Sequence, residues 1–280
     1  MQAMRRPLHL FLPAVVAAAL WSLSGCAQMA PAPAPWPGVL QTLLPADLLL
    51  LGERHDAPEH QQLQREAVQW LAGQGRLAAL VMEMAEQGRS TEGLPRDASE
   101  TAVQAALAWN DGAWPWRQYG PVAMAAVRAG VPVLGGNLPR RELRTALTDS
   151  TLEALLSPQA LERQRQAVRD GHCGLLPEPR VPGMARVQVA RDLRMAQAAA
   201  AARRPGQVVL LVAGAAHTKR SLGVPLHAPA DLQTKVVIAH AGPAEEAIKN
   251  EADWLQQTPE LPPDDACAPL RQRWGTPPTR

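Results

Sequence analysis

Short continuous apolar runs alternate along this chain with stretches in which apolar residues recur every third or fourth position. That alternation predicts a mostly parallel β-sheet flanked by helices. Strands are expected at 47–51, 78–83, 131–134, 207–213 and 235–240. Between the first two, Leu63, Ala67, Trp70 and Leu71 share one face of a helix over 58–72, and further helices are expected at 99–109 and 121–129, the second stopped by Gly130. The stretch 139–203 breaks the alternation: it shows helical spacing without a strand, with its longest helix over 184–202, and reads as a helical insert or lid. The fold class is α/β, and the tail from 258 reads as loop.

Polar residues stand where the apolar runs end. Glu53 and His55 follow the first run, with His60 five residues on; Glu83 ends the second, Asn137 follows the third and His217 the fourth. In an open parallel sheet, ligands sit in the crevice outside the carboxyl ends of the strands. Four strand ends therefore direct Glu53, His55, Glu83, Asn137 and His217 toward one edge. Glu53, His55, Glu83 and His217 suit a divalent metal able to activate water, and equally a metal-free pair of catalytic acid and base. The helical His-Glu-x-x-His form of a zinc protease is absent.

The first residues form a processing signal rather than part of the fold: Arg5 and Arg6 precede an apolar stretch too short to span a bilayer comfortably. The stretch ends in Leu23-Ser24-Gly25-Cys26, a lipoprotein cleavage signal that makes 1–25 a leader and Cys26 the lipidated residue. A lipid there anchors the chain to a membrane without a spanning helix. Ala27, where an aspartate would retain the protein at the inner membrane, points to the outer membrane facing the periplasm. Residues 26–38, rich in Ala-Pro, read as an extended tether. Removing the leader costs two arginines and no acid, so basic and acidic side chains balance at 26 of the latter. A neutral body excludes a nucleic-acid-binding surface. Cys173 and Cys267 remain, and in an oxidising compartment they are expected to pair, with free thiols or metal ligation by Cys173 beside His172 as the alternative.

The segment 109–119 concentrates Trp109, Trp114, Trp116 and the chain's single tyrosine, Tyr119. The tryptophans suit a helix-packing cluster. A tyrosinate can also ligate ferric haem iron, with indoles covering a porphyrin face.

Together these pieces carry a family resemblance. Leu51-Gly52-Glu53-Arg54-His55-Asp56, Val81-Met82-Glu83-Met84, Trp116-Arg117-Gln118-Tyr119-Gly120-Pro121, the run from Val131 to Arg140, His172-Cys173-Gly174, the run from Gln188 to Ala196, Gly214-Ala215-Ala216-His217 and Leu222-Gly223-Val224-Pro225 occur in the order found in ChaN-type lipoproteins. The chain resembles that family, the haem-binding uptake branch of a superfamily that includes the TIKI and TraB proteins and is related to erythromycin esterases. The matching pieces run from Leu49 to about Leu226, and the resemblance implies that the body over 39–257, with its insert at 139–203, is a haem-binding domain followed by the Pro-rich tail at 258–280. It implies haem (iron protoporphyrin IX) held between two protomers for iron acquisition at the cell envelope, a homodimer, and an outer-membrane haem receptor as partner. The family's tyrosine ligand falls on Tyr119 here, with His172 as a second contact and His55 and His217 nearby. The wider superfamily implies hydrolysis instead, with Glu53, His55, Glu83 and His217 as the catalytic or metal-binding set.

Overall fold

A computed structural model describes residues 35–275. The leader, Cys26, most of the tether and the last five residues lie outside the described residues.

Helix α1 (Trp36–Thr42) leads into β1 (Leu48–Glu53), α2 (Pro58–Gly73) and β2 (Leu77–Glu86). Helices α3 (Glu100–Ala106) and α4 (Trp116–Ala129) connect to β3 (Val133–Asn137). The helical stretch contributes α5 (Leu143–Thr148), α6 (Pro158–Gly171) and α7 (Val181–Ala201), separated by 3-10 turns. The chain then forms β4 (Val208–Gly214), the short α8 (Ala215–Thr218), β5 (Thr234–Ala241), β6 (Trp254–Thr258) and α9 (Ala268–Trp274). The six strands form one sheet in the order β3-β2-β4-β1-β5-β6, and every pairing between them is parallel.

The apolar runs are continuous because both faces of the sheet are covered. One face, carrying Leu49, Leu51, Leu80, Met82, Leu210 and Val212, packs on α2 and α4 through Val68, Leu71, Val122, Ala123 and Ala126. The other, carrying Leu48, Leu50, Val81, Val209 and Leu211, packs on α7 through Met195, Ala196 and Ala199. Each buried leucine contributes about 1.5–3 kcal/mol of transfer free energy, so the two layers fix the strand ends firmly.

All five expected strands are present, and the differences lie at the margins. β6 is an additional edge strand. Helix α4 begins five residues before Pro121 and ends, as expected, at Gly130 in the left-handed conformation (φ 76°). The tether expected over 26–38 overruns α1, which already starts at Trp36, a buried residue whose Nε1–H donates to the Leu63 carbonyl at 3.0 Å. The stretch 139–203 is helical as expected, yet α7 does more than cap the fold. It is the crossover helix between β3 and β4 and supplies the second layer's core. The tail carries α9, tied back by the Cys173–Cys267 disulfide across a separation of 94 residues. Among the described residues, no helix is long and apolar enough to cross a membrane.

Candidate functional site

Glu53, the last residue of β1, is the hub of the strand-end cluster, with its side chain fully buried. Its Oε1 accepts from His55 Nδ1 at 2.8 Å and from the Tyr119 hydroxyl at 2.7 Å, while Oε2 accepts from Gln61 and Gln64 Nε2, each at 2.6 Å. Four donors saturate a carboxylate. Gln61 and Gln64 reach it because they lie three residues apart on the buried face of α2.

The His55 side chain is 43% exposed. Nδ1 donates its N–H to Glu53, which leaves Nε2 as the basic nitrogen of the neutral ring. The ring lies edge-on to Trp114 at 4.8 Å and passes close to the backbone of β4. A Cβ on Gly214 would fall 2.9 Å from His55 Nε2, so glycine here leaves the imidazole its place and a side chain would displace it. Burial works against a charge on His55, but Glu53 and Glu83 outweigh it and raise its pKa above the usual histidine value.

A second cluster forms beside the first. Glu83 on β2 is buried; its Oε2 accepts from the Gly214 N–H at 2.8 Å, and its Oε1 lies 3.5 Å from His217 Nε2. On the other side of the ring, His217 Nδ1 donates to Asp192 Oδ1 at 2.6 Å. Burial opposes charge on His217, but Glu83 and Asp192 together raise its pKa to about 9. Burial pushes Asp192 up to about 6. The Glu83 carboxyl, although burial alone would raise it, is held below its ordinary value by His217, His55 and the Gly214 N–H. At neutral pH, an imidazolium therefore sits between two carboxylates.

Both clusters open on one cavity of about 550 Å³. His55, Glu83, Asn137, His172, Asp192 and His217 line it, together with Trp114, Leu138, Val168 and Leu222. Four expected strand-end residues thus share one cavity, with the fifth, Glu53, directly behind His55. Asn137 is committed to the backbone: its Nδ2 donates to the Glu83 carbonyl and its Oδ1 accepts from the Leu138 N–H, each at 2.8 Å. It clamps β3 to β2. His172, at the end of α6, donates Nδ1–H to the Val168 carbonyl at 2.7 Å. His60 is a tie rather than a site residue, accepting from the Arg54 N–H at 2.9 Å and reaching Thr258 Oγ1 at 3.0 Å.

Tyr119 is fully buried on α4, its hydroxyl engaged with Glu53, and it is not part of the cavity wall. Burial, reinforced by Glu53, raises its pKa far above the ordinary phenol value. Trp109 and Trp116 pack edge-on at 5.0 Å, as a helix-packing cluster would, while Trp114 faces the cavity. Among the described residues, no group of three or more His, Cys, Asp or Glu is placed to hold a metal ion, so the divalent-metal alternative finds no support. The physical reason is visible in the bonding: both Glu53 oxygens are saturated by donors, and His217 spends both ring nitrogens on carboxylates. Cys173 is in the disulfide and ligates nothing.

Asp192, Gln61 and Gln64 are site residues that sequence reasoning did not single out, whereas Trp114 belongs to the indole cluster offered there as a porphyrin cover. For Asp192 a signal existed: it falls in the buried stripe Ala185, Val189, Asp192, Ala196 and Ala199 of α7, where a lone carboxylate needs a partner.

The fold is shared with a solved protein described as "Cofacial heme binding to ChaN of Campylobacter jejuni", with a TM-score of 0.64, 23% identity, and coverage of 78% of this chain and 89% of that one. The type III effector HopBA1 matches more distantly, with a TM-score of 0.45, 15% identity, and coverage of 77% and 88%. No curated protein matches this sequence. A family model described as haem-binding uptake, Tiki superfamily, ChaN matches residues 39–227, and the chain belongs to that family.

Proposed function

We propose that this protein binds haem in the strand-end cavity, with His55 as the iron ligand. The observation that carries the reading is the Glu53–His55 pair. A buried carboxylate fixes the tautomer and raises the basicity of a half-exposed imidazole on the cavity wall, the arrangement that protein metal ligands use. The surroundings fit a porphyrin: the cavity volume lies in the range of small-molecule sites, its wall is largely apolar, and Trp114 stands beside the ligand. Haem bound there would supply a ferric centre open to further coordination.

The buried phenol of Tyr119 would have to break its bond to Glu53, lose a strongly held proton and move into the cavity before it could reach iron. Its role in this reading is to hold the Glu53 carboxylate against His55. His172 and His217 remain cavity contacts, His217 in a charged cluster beside the ligand. Cofacial haem binding by the Campylobacter protein supports a second haem-loaded copy as the cover for the open face. The cleavage signal ending at Cys26 supports anchoring at the cell envelope, where haem and iron uptake through a receptor partner would take place.

The test is a titration of the purified protein with ferric haem, read by absorbance. Saturable binding that His55→Ala removes and Tyr119→Phe retains is expected; equal binding by wild type and His55→Ala refutes the ligand assignment.

One observation favours a second reading as a hydrolase. His217 lies between Asp192 and Glu83 on the wall of a cavity large enough for a substrate. With its pKa raised to about 9, His217 would serve as the acid and Glu83 as the base. Ester turnover that survives a chelator and is lost in both His217→Asn and Glu83→Gln would establish it.

A further inference from the structure

Three polar atoms in the cavity residues are buried with no hydrogen-bond partner: Gln164 Oε1 on α6, and Gln188 Oε1 and Arg191 Nε on α7. Gln164 is only 4% exposed. Buried polar atoms are nearly always paired, so three orphans converging from two helices on one cavity indicate a missing partner. The sheet side of the same cavity shows no such deficit, because Glu83 and Asn137 are engaged.

Arg191 Nε lacks an acceptor and the two glutamine oxygens lack donors, so the three meet a planar oxygen anion with both amides turned to present their N–H groups. A guanidinium offers paired N–H donors matched to a carboxylate. A glutamine amide turned about its last bond presents an N–H where the oxygen now stands. Gln188 and Arg191 are three residues apart on α7 and so share a face.

The neighbouring carboxylates do not fill this role. Among the described residues Arg191 forms no ion pair, although its charge acts on Glu83 and Asp192 through space. Glu83 is held by the Gly214 N–H and Asp192 by His217. Arg140, the other arginine on the cavity, is 67% exposed and lies beside Glu86, so it is already solvated and partnered.

We infer that Gln164, Gln188 and Arg191 form a carboxylate-binding subsite that orients the ligand by its acidic edge. This assignment rests on the haem reading, under which the subsite takes a porphyrin propionate. It makes the helical side of the cavity the recognition wall and the strand ends the iron-facing wall.

The experiment titrates the full chain with ferric haem and with haem dimethyl ester, in which both propionates are capped, following the Soret band. Wild type is expected to bind haem about ten- to hundredfold more tightly than the diester, the margin of a charge-assisted paired contact. Arg191→Gln should lower haem affinity to the level of the diester and leave diester affinity unchanged. Gln164→Leu should give a smaller loss in the same direction. Because it removes an orphaned amide from the interior, this variant is expected to fold at least as well as wild type and keeps the test decisive should Arg191→Gln fail to fold.

Equal affinity of wild type for haem and diester overturns the subsite while leaving the haem reading intact, the orphans then being met by solvent. Equal losses toward both porphyrins in the variants also overturn it. Binding of neither porphyrin by wild type overturns the haem reading and the subsite with it.

Discussion

Replacing Tyr119 by Phe removes one hydroxyl from the interior and leaves the ring in place. That hydroxyl donates to a buried carboxylate at 2.7 Å, and hydrogen bonds to charged groups contribute about 1.5–3 kcal/mol each. Glu53 keeps its bonds from His55, Gln61 and Gln64, so its charge is not orphaned and the loss belongs near the lower end, about 2 kcal/mol. For a domain of this size each kcal/mol shifts the melting temperature by about 2–4 °C, giving a decrease of about 4–8 °C. Thermal unfolding followed by circular dichroism measures it. Haem binding should change little, within about threefold, because the Glu53–His55 pair survives and loses only a competing donor. A variant as stable as wild type would refute the hydrogen-bond assignment. A destabilised or native-like variant that no longer forms the ferric haem complex would refute His55 ligation and restore the phenolate.

Three other perturbations probe the site from different directions. Gly214→Ala places a methyl group 2.9 Å from His55 Nε2 and is expected to displace the imidazole, lowering haem affinity at least about tenfold; unchanged affinity would show that the nitrogen does not work from that position. Replacing Cys173 and Cys267 by serine opens a loop of 94 residues and should cost about 4–5 kcal/mol on chain-entropy grounds, so denaturant unfolding midpoints that coincide with those of wild type would refute it. His217, raised from 6.5 to about 9 in the fold, contributes stability that is fully present below its unfolded value and lost as pH rises through 6.5 to 9, by at most about 3 kcal/mol. His217→Asn should flatten stability across that window. Asp192, raised from 3.8 to about 6, acts in a lower range, where its ionisation costs stability as pH rises. A wild-type profile without a slope between 6.5 and 9 would show that His217 is neutral in the folded protein.

The strands and the strand-end cluster were legible because burial on both faces writes itself as unbroken apolar runs, and a carboxylate directly after such a run stands out. Edge strand β6, Trp254–Thr258, escaped notice because its partly exposed Trp-Leu-Gln-Gln-Thr has neither a run nor a clean alternation. Helix α1 was hidden by the prolines before it, which suit an extended tether and a helix start equally well. The walls contributed by helices were the least legible part. Gln61, Gln64, Gln164 and Arg191 are residue types that usually face water on a helix, and only the packing of α2, α6 and α7 turns them inward. The placement of Tyr119 depends on how α4 packs beside α2 over the end of β1. Counting tyrosines identifies it as the single phenol but cannot distinguish a side chain facing the cavity from one facing Glu53.

The most direct test of the central claim is resonance Raman spectroscopy of the haem complex with and without isotopically labelled histidine. An iron–imidazole band that shifts with the label and disappears in His55→Ala is expected. Iron–phenolate bands that disappear in Tyr119→Phe, with no label-sensitive imidazole band, would contradict it.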